Sequence, residues 1–183
     1  MLYLLQERAS YMQKITLIST LLFSYGIQSS FSQTDSVNKN VLVWHTDILK
    51  AQEQSKSSHK PIFAFFTGSD WCGWCKKLQK DVFAKPEFVA WAQKNVILLE
   101  LDFPRKKQLP PELAQQNAGL QQAFQIQGYP TVWLFYLAKD ETANKFNIDA
   151  LGSLGYPGGA EPGKEEVKFL RDANSILANK KVK

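Results

Sequence analysis

The segment that most limits what this chain can fold into is Ile62-Phe63-Ala64-Phe65-Phe66, an unbroken apolar run opened by Pro61 and closed by Thr67-Gly68-Ser69. A run this short and apolar throughout suits a strand covered on both faces, as at the centre of an α/β sheet. The Gly-Ser loop leads at once into Trp71-Cys72-Gly73-Trp74-Cys75-Lys76. Beyond it, Cys75, Leu78, Val82 and Phe83 recur at the i, i+3, i+7, i+8 spacing of one helix face. The only two cysteines of the chain thus stand where a buried strand gives way to a helix.

Other elements follow in alternation. Val41-Leu42-Val43-Trp44 is a short apolar stretch, and Thr46 is read as the cap of a helix reaching Ser57, with Asp47 in its first turn. Pro86-Glu87 restarts helical sequence, Val96–Leu101 reads as the next buried strand, and Pro110-Pro111-Glu112 starts a helix to Phe124 whose glutamines face solvent. Thr131–Leu137 is a strand, with a weaker one between Phe146 and Leu154. The last helix places Val167, Leu170, Ala173 and Leu177 on one side. Neither an internal repeat nor a second linker interrupts residues 41–180, which are read as one domain after a flexible lead-in at 33–40.

The first 32 residues carry a different pattern. Lys14 precedes the uncharged, mostly apolar run Ile15–Ile27, and Ser30-Phe31-Ser32 supplies small residues at the −3 and −1 positions of a cleavage after Ser32. This is the layout of a secretory signal peptide. The run is shorter than the ~20 apolar residues that span a bilayer. A buried helix and an uncleaved anchor are the competing readings. Starting at Met12 gives a cleaner charged region than Met1, because residues 1–11 add Glu7. The expectation is export to the periplasm or another extracytoplasmic space, with Gln33 as the first mature residue. Disulfides persist in such compartments.

Composition removes several classes. With 44% hydrophobic and 21% charged residues, the chain reads as globular. The net charge of +5 is spread over short clusters such as Arg105-Lys106-Lys107, without the basic stripe of a nucleic-acid reader, so no nucleic-acid partner is expected. Lys76 occupies the place that a c-type haem motif gives to His, and His45 and His59 lack metal-motif spacing, so no metal and no cofactor are expected. A structural disulfide closing so small a loop would remove little chain entropy. Redox exchange is the remaining chemistry. Helix-start amides carry partial positive charge, which lowers the pKa of a thiol placed there and makes Cys72 the attacking group. Cys75 lies about one turn on and can resolve the mixed disulfide.

With Gly128-Tyr129-Pro130-Thr131 ahead of a later apolar strand, the chain resembles the thioredoxin family over residues 41–178. Phe66-Thr67-Gly68-Ser69-Asp70 and Leu101-Asp102-Phe103-Pro104 resemble its exported, disulfide-reductase-like branch. The resemblance implies an α/β thioredoxin fold, with a central mixed sheet flanked by helices on both faces. It implies Cys72 as nucleophile and Cys75 as resolving thiol. Trp71, Gly73, Trp74, Tyr129 and Pro130 would contact substrate, with Pro130 cis beside the dithiol. One position departs: where thioredoxin has a buried aspartate in the strand before the dithiol, this chain has Phe65, and Asp70 is read as a loop or cap aspartate.

The leading expectation is therefore a protein-disulfide oxidoreductase, with reduction favoured. Its partners would be protein thiol or disulfide substrates and a redox partner that the residues do not name. Membrane contact would be confined to an uncleaved signal segment, and a monomer is expected. The alternative is a client-binding adaptor of the same fold without essential redox turnover.

Overall fold

Ile62–Thr67 becomes a strand because each of its side chains finds cover. Phe63 and Phe65 enter one core while Ile62, Ala64 and Phe66 enter another, all with no exposed surface. The computed structural model describes residues 41–140 and 145–179. The export segment, the Met12 start, the cleavage after Ser32 and the lead-in at 33–40 lie outside the described residues.

The strands are β1 (Trp44–His45), β2 (Ile62–Thr67), β3 (Ile97–Asp102), β4 (Thr131–Asp140) and β5 (Lys145–Leu154). They form one five-stranded sheet in the order β1-β3-β2-β4-β5. β3 is parallel to both β1 and β2, whereas β4 pairs antiparallel with β2 and β5, so the sheet is mixed as expected. The helices are α1 (Ile48–Ser58), α2 (Gly73–Leu78), α3 (Pro86–Asn95), α4 (Pro111–Ala123) and α5 (Glu165–Asn179). Residues of α2, α3 and α5 join the core of Phe63 and Phe65, while those of α1 and α4 join that of Ile62 and Phe66. Helices thus cover both faces of an α/β thioredoxin fold.

The first core is built largely of rings. Trp44, Phe63, Phe65, Phe83, Phe88, Trp91 and Phe169 meet with centroids 4.6–6.2 Å apart. Each such pair is worth about 0.5–1.5 kcal/mol beyond its buried area. Cys72 and Cys75 belong to this same core.

Several local expectations are corrected. Asp47, not Thr46, caps α1, its carboxylate accepting from Leu49 N at 2.8 Å. Val167 is 56% exposed; α5 buries Ala173 as expected and packs Leu170 and Leu177 on the core, but Phe169 is buried in place of Val167. The helix after the cysteines widens into a π turn at Gln79–Phe83, yet Cys75, Leu78, Val82 and Phe83 all remain buried. On α4, Gln116 accepts from Ile48 N and donates to Thr46 O, so its amide ties two helices together instead of merely facing solvent.

Candidate functional site

The sheet delivers its two cysteines to one place. After β2, the chain turns on Gly68, whose carbonyl accepts from Trp71 N and Cys72 N. Cys72 then occupies the N-cap of α2, in extended backbone geometry, and its Sγ accepts from Cys75 N at 3.1 Å. The two sulfurs are joined in a disulfide, with Cα atoms 5.3 Å apart. Cys72 is 5% exposed and Cys75 1%, so an incoming group reaches the Cys72 end first.

Carboxylates hold the loop ahead of the disulfide. Asp102, at the end of β3, accepts from Ser69 N at 2.8 Å and from Ser69 Oγ at 2.6 Å, and it pairs with Lys107 at 3.0 Å. Burial pushes its pKa up, but the Ser69 and Lys107 hydrogen bonds outweigh that and leave it below the usual aspartate value. Asp70 accepts from the amides of Arg105 (3.0 Å) and Lys106 (2.7 Å). The Arg105 amide is the main reason its carboxyl is held below the usual value. Asp70 is thus a clasp between two loops, and the helix cap is Cys72 itself.

Trp71 lies between these loops. Its Nε1 donates to Phe103 O at 2.7 Å, the Arg105 guanidinium sits 3.8 Å above the ring, and Tyr129 meets its edge at 5.6 Å. A Cβ at position 68 would overlap the indole, which is the physical reason for glycine there. The Tyr129–Pro130 peptide is cis, and the Tyr129 hydroxyl accepts from Gln121 Nε2 at 2.7 Å. Trp74, between the cysteines, is 58% exposed and meets Tyr156 at 5.1 Å. Gly73 is exposed, and a Cβ there would meet nothing within 4 Å.

Phe65 is fully buried, so the strand carries no acid beneath the dithiol. Its partner in register on β3 is Glu100. Burial, followed by the nearby Asp102 charge, raises the pKa of Glu100. Sequence reasoning missed Glu100, Arg105 and Tyr156. Only the Lys77/Asp81 pair beside Tyr156 left a local signal, the i,i+4 spacing of opposite charges on a helix.

A mixed sheet whose central strand hands a two-cysteine disulfide to a helix start defines the thioredoxin-fold class. The chain belongs to the family described as Thioredoxin-like domain, which residues 48–142 match. It is 34% identical over 127 residues to the disulfide bond reductase DsbH of Chlamydia pneumoniae, covering 69% of this chain and 75% of the relative. It is 28% identical over 166 residues to the thioredoxin-related protein DsbJ of the same organism, covering 91% of this chain but only 45% of that longer relative. A solved DsbH oxidoreductase superposes with a TM-score of 0.62 at 30% identity, over 81% of this chain and 92% of that one. A thioredoxin from Thermus thermophilus shares the fold at 13% identity, with a TM-score of 0.50 over 74% of this chain and 87% of that one.

Proposed function

We propose that this protein is an exported dithiol–disulfide oxidoreductase that reduces disulfides in client proteins. The observation that carries the reading is the Cys72–Cys75 disulfide at a helix start, with Cys72 Sγ taking the Cys75 amide hydrogen bond. In the reduced protein the same amide stabilises a Cys72 thiolate. That thiolate attacks one sulfur of a client disulfide, forming a mixed disulfide and expelling a client thiolate, which takes up a proton. Cys75 then loses its proton, attacks Cys72 Sγ and releases the second client thiol. Two electrons pass to the client, and a thiol partner must return them.

Trp71, Gly73, Trp74, Tyr129 and Pro130 are the groups proposed to contact the client. Trp71, Gly73 and Trp74 adjoin the cysteines in the chain, and Trp71 and Tyr129 pack on the core that holds them; these support the reading, as does similarity to a relative named a disulfide bond reductase. Export rests on the Lys14, Ile15–Ile27 and Ser30-Phe31-Ser32 pattern. It is tested by N-terminal sequencing of secreted protein, where a mature chain still carrying Ile15 contradicts it.

Insulin reduction tests the chemistry. Cys72→Ser is expected to abolish turnover, and Cys75→Ser to accumulate a client mixed disulfide. Unchanged biological activity of Cys72→Ser would favour the adaptor reading. A reduction potential near about −270 mV supports reduction, and one near about −120 mV would reverse the direction to oxidation.

A further inference from the structure

Beside the disulfide stands a group of side chains that thiol exchange does not itself require. Tyr156 follows β5, directly after Gly155, where an added Cβ would sit 3.8 Å from the Pro130 carbonyl oxygen. Its hydroxyl takes a hydrogen bond from Lys77 Nζ at 2.6 Å and donates to Asp81 Oδ2 at 2.7 Å, and Lys77 also pairs with Asp81. Two hydrogen bonds therefore orient the ring through its hydroxyl, and the ring meets Trp74 edge-on with centroids 5.1 Å apart. Trp74 lies between the two cysteines and leaves 58% of its surface uncovered. Beside it, Gly73 is exposed, with nothing within 4 Å of where a Cβ would stand.

The surroundings choose among occupants. Lys77 Nζ already lies 4.9 Å from the Tyr156 ring centroid, so that ring has a cation. Lys76 and Lys80 are exposed on the same helical segment. Asp81, the carboxylate of the group, is engaged by both Lys77 and Tyr156. A second cation arriving at Trp74 would meet repulsion, with Asp81 already engaged. A neutral aromatic or aliphatic side chain meets an indole face and a phenol edge at no such cost.

We propose that Trp74 and Tyr156 form a specificity subsite that receives an uncharged apolar side chain next to the client cysteine, with Lys77 and Asp81 positioning Tyr156. This rests on the disulfide-exchange reading and names the client segment that reading leaves open: an extended peptide with a bulky apolar residue beside its cysteine and no lysine or arginine there.

The test uses three disulfide-containing peptides identical except for Phe, Gly or Lys beside the attacked cysteine. Each is mixed with the fully reduced protein, and the second-order rate is read from tryptophan fluorescence. The wild-type protein is expected to prefer Phe over Gly by about three- to tenfold, the range of one aromatic contact, and to place Lys last. Tyr156→Ala should bring the Phe and Gly peptides within about twofold of each other, whereas Tyr156→Phe, which keeps the ring but loses the hydroxyl that Lys77 and Asp81 hold, should leave an intermediate preference. Equal rates for all three peptides with the wild-type protein would overturn the subsite while leaving disulfide exchange standing. An undiminished preference in Tyr156→Ala would overturn it too. Failure of every peptide to react would overturn the exchange reading and the subsite together.

Discussion

Two tryptophans flank the same disulfide and are held in different ways. Trp71 is fixed by main chain: the Phe103 carbonyl takes its Nε1 hydrogen bond, Gly68 leaves room for the ring, and Asp70 pins the Arg105 amide so that the guanidinium covers the indole. Among the described residues no main-chain hydrogen bond holds the Trp74 ring. It stands 58% exposed against Tyr156, which is itself held by the side chains of Lys77 and Asp81. Backbone anchors move only when a loop moves, whereas exposed ion pairs are weak and readily rearranged. The Trp71 side of the disulfide is therefore set by the fold, and the Trp74 side is held by contacts that rearrange more readily.

The two tryptophans are expected to contribute unequally to stability. Trp71→Ala removes a hydrogen bond, a ring contact and packing under Arg105, and is expected to cost about 2–3 kcal/mol. Trp74→Ala is expected to cost less than about 1 kcal/mol, because most of its surface already faces water. Urea unfolding of the oxidised proteins measures both, and similar losses would refute the difference between the two sides.

Gly68→Ala should fall between them, at about 1–3 kcal/mol, since its Cβ must displace the indole. Added to Trp71→Ala the same change should cost far less, because the ring it collides with is gone. Additive losses in that double-mutant cycle would place the strain elsewhere.

This contrast also separates what could be read along the chain from what could not. Phe63 and Phe65, the Pro86 and Pro111 helix starts and the helix face from Cys75 to Phe83 announce themselves through local spacing, and the structure uses each as expected. The cis Pro130 follows the family resemblance. Capping of α1 by Asp47 instead of Thr46 depends on where β1 stops, and β1 is only two residues long. The burial of Phe169 in place of Val167 depends on how α5 is rotated against the ring cluster. Glu100 comes beside Phe65 only through strand register, and Arg105 reaches Trp71 only once two distant loops are clasped. Tyr156 is one aromatic among many until β5 ends beside the dithiol. The chemistry was local and therefore legible, while its surroundings are products of long-range pairing.

Smaller effects, set by pH, sharpen the comparison further. The folded pKa of Asp102 lies below its ordinary value of 3.8, so its contribution to stability is present above that value and fades as acid brings the carboxylate to its folded pKa. Glu100 has the opposite sign: its pKa is raised above 4.5, so its contribution is complete below 4.5 and is lost as pH rises through the folded value. At pH 7, Asp102→Asn should therefore lower Tm and Glu100→Gln should raise it, the Glu100 difference shrinking as the pH falls toward 4.5 and the Asp102 difference only below 3.8. Thermal melts across that range check the pair, and a shared sign would contradict the Ser69 and Lys107 hydrogen bonds that separate Asp102 from Glu100. On the Trp74 side, Asp81 is held below its ordinary value chiefly by the Lys77 hydrogen bond, then by Tyr156, which gives it the same sign as Asp102. Its contact with Lys77 lies at the surface, where salt screens it. Asp81→Asn should thus give the smallest Tm change, one that disappears at high salt while the Asp102→Asn change persists. A salt-resistant Asp81 effect would show that the wall around Trp74 is as firmly built as the one around Trp71.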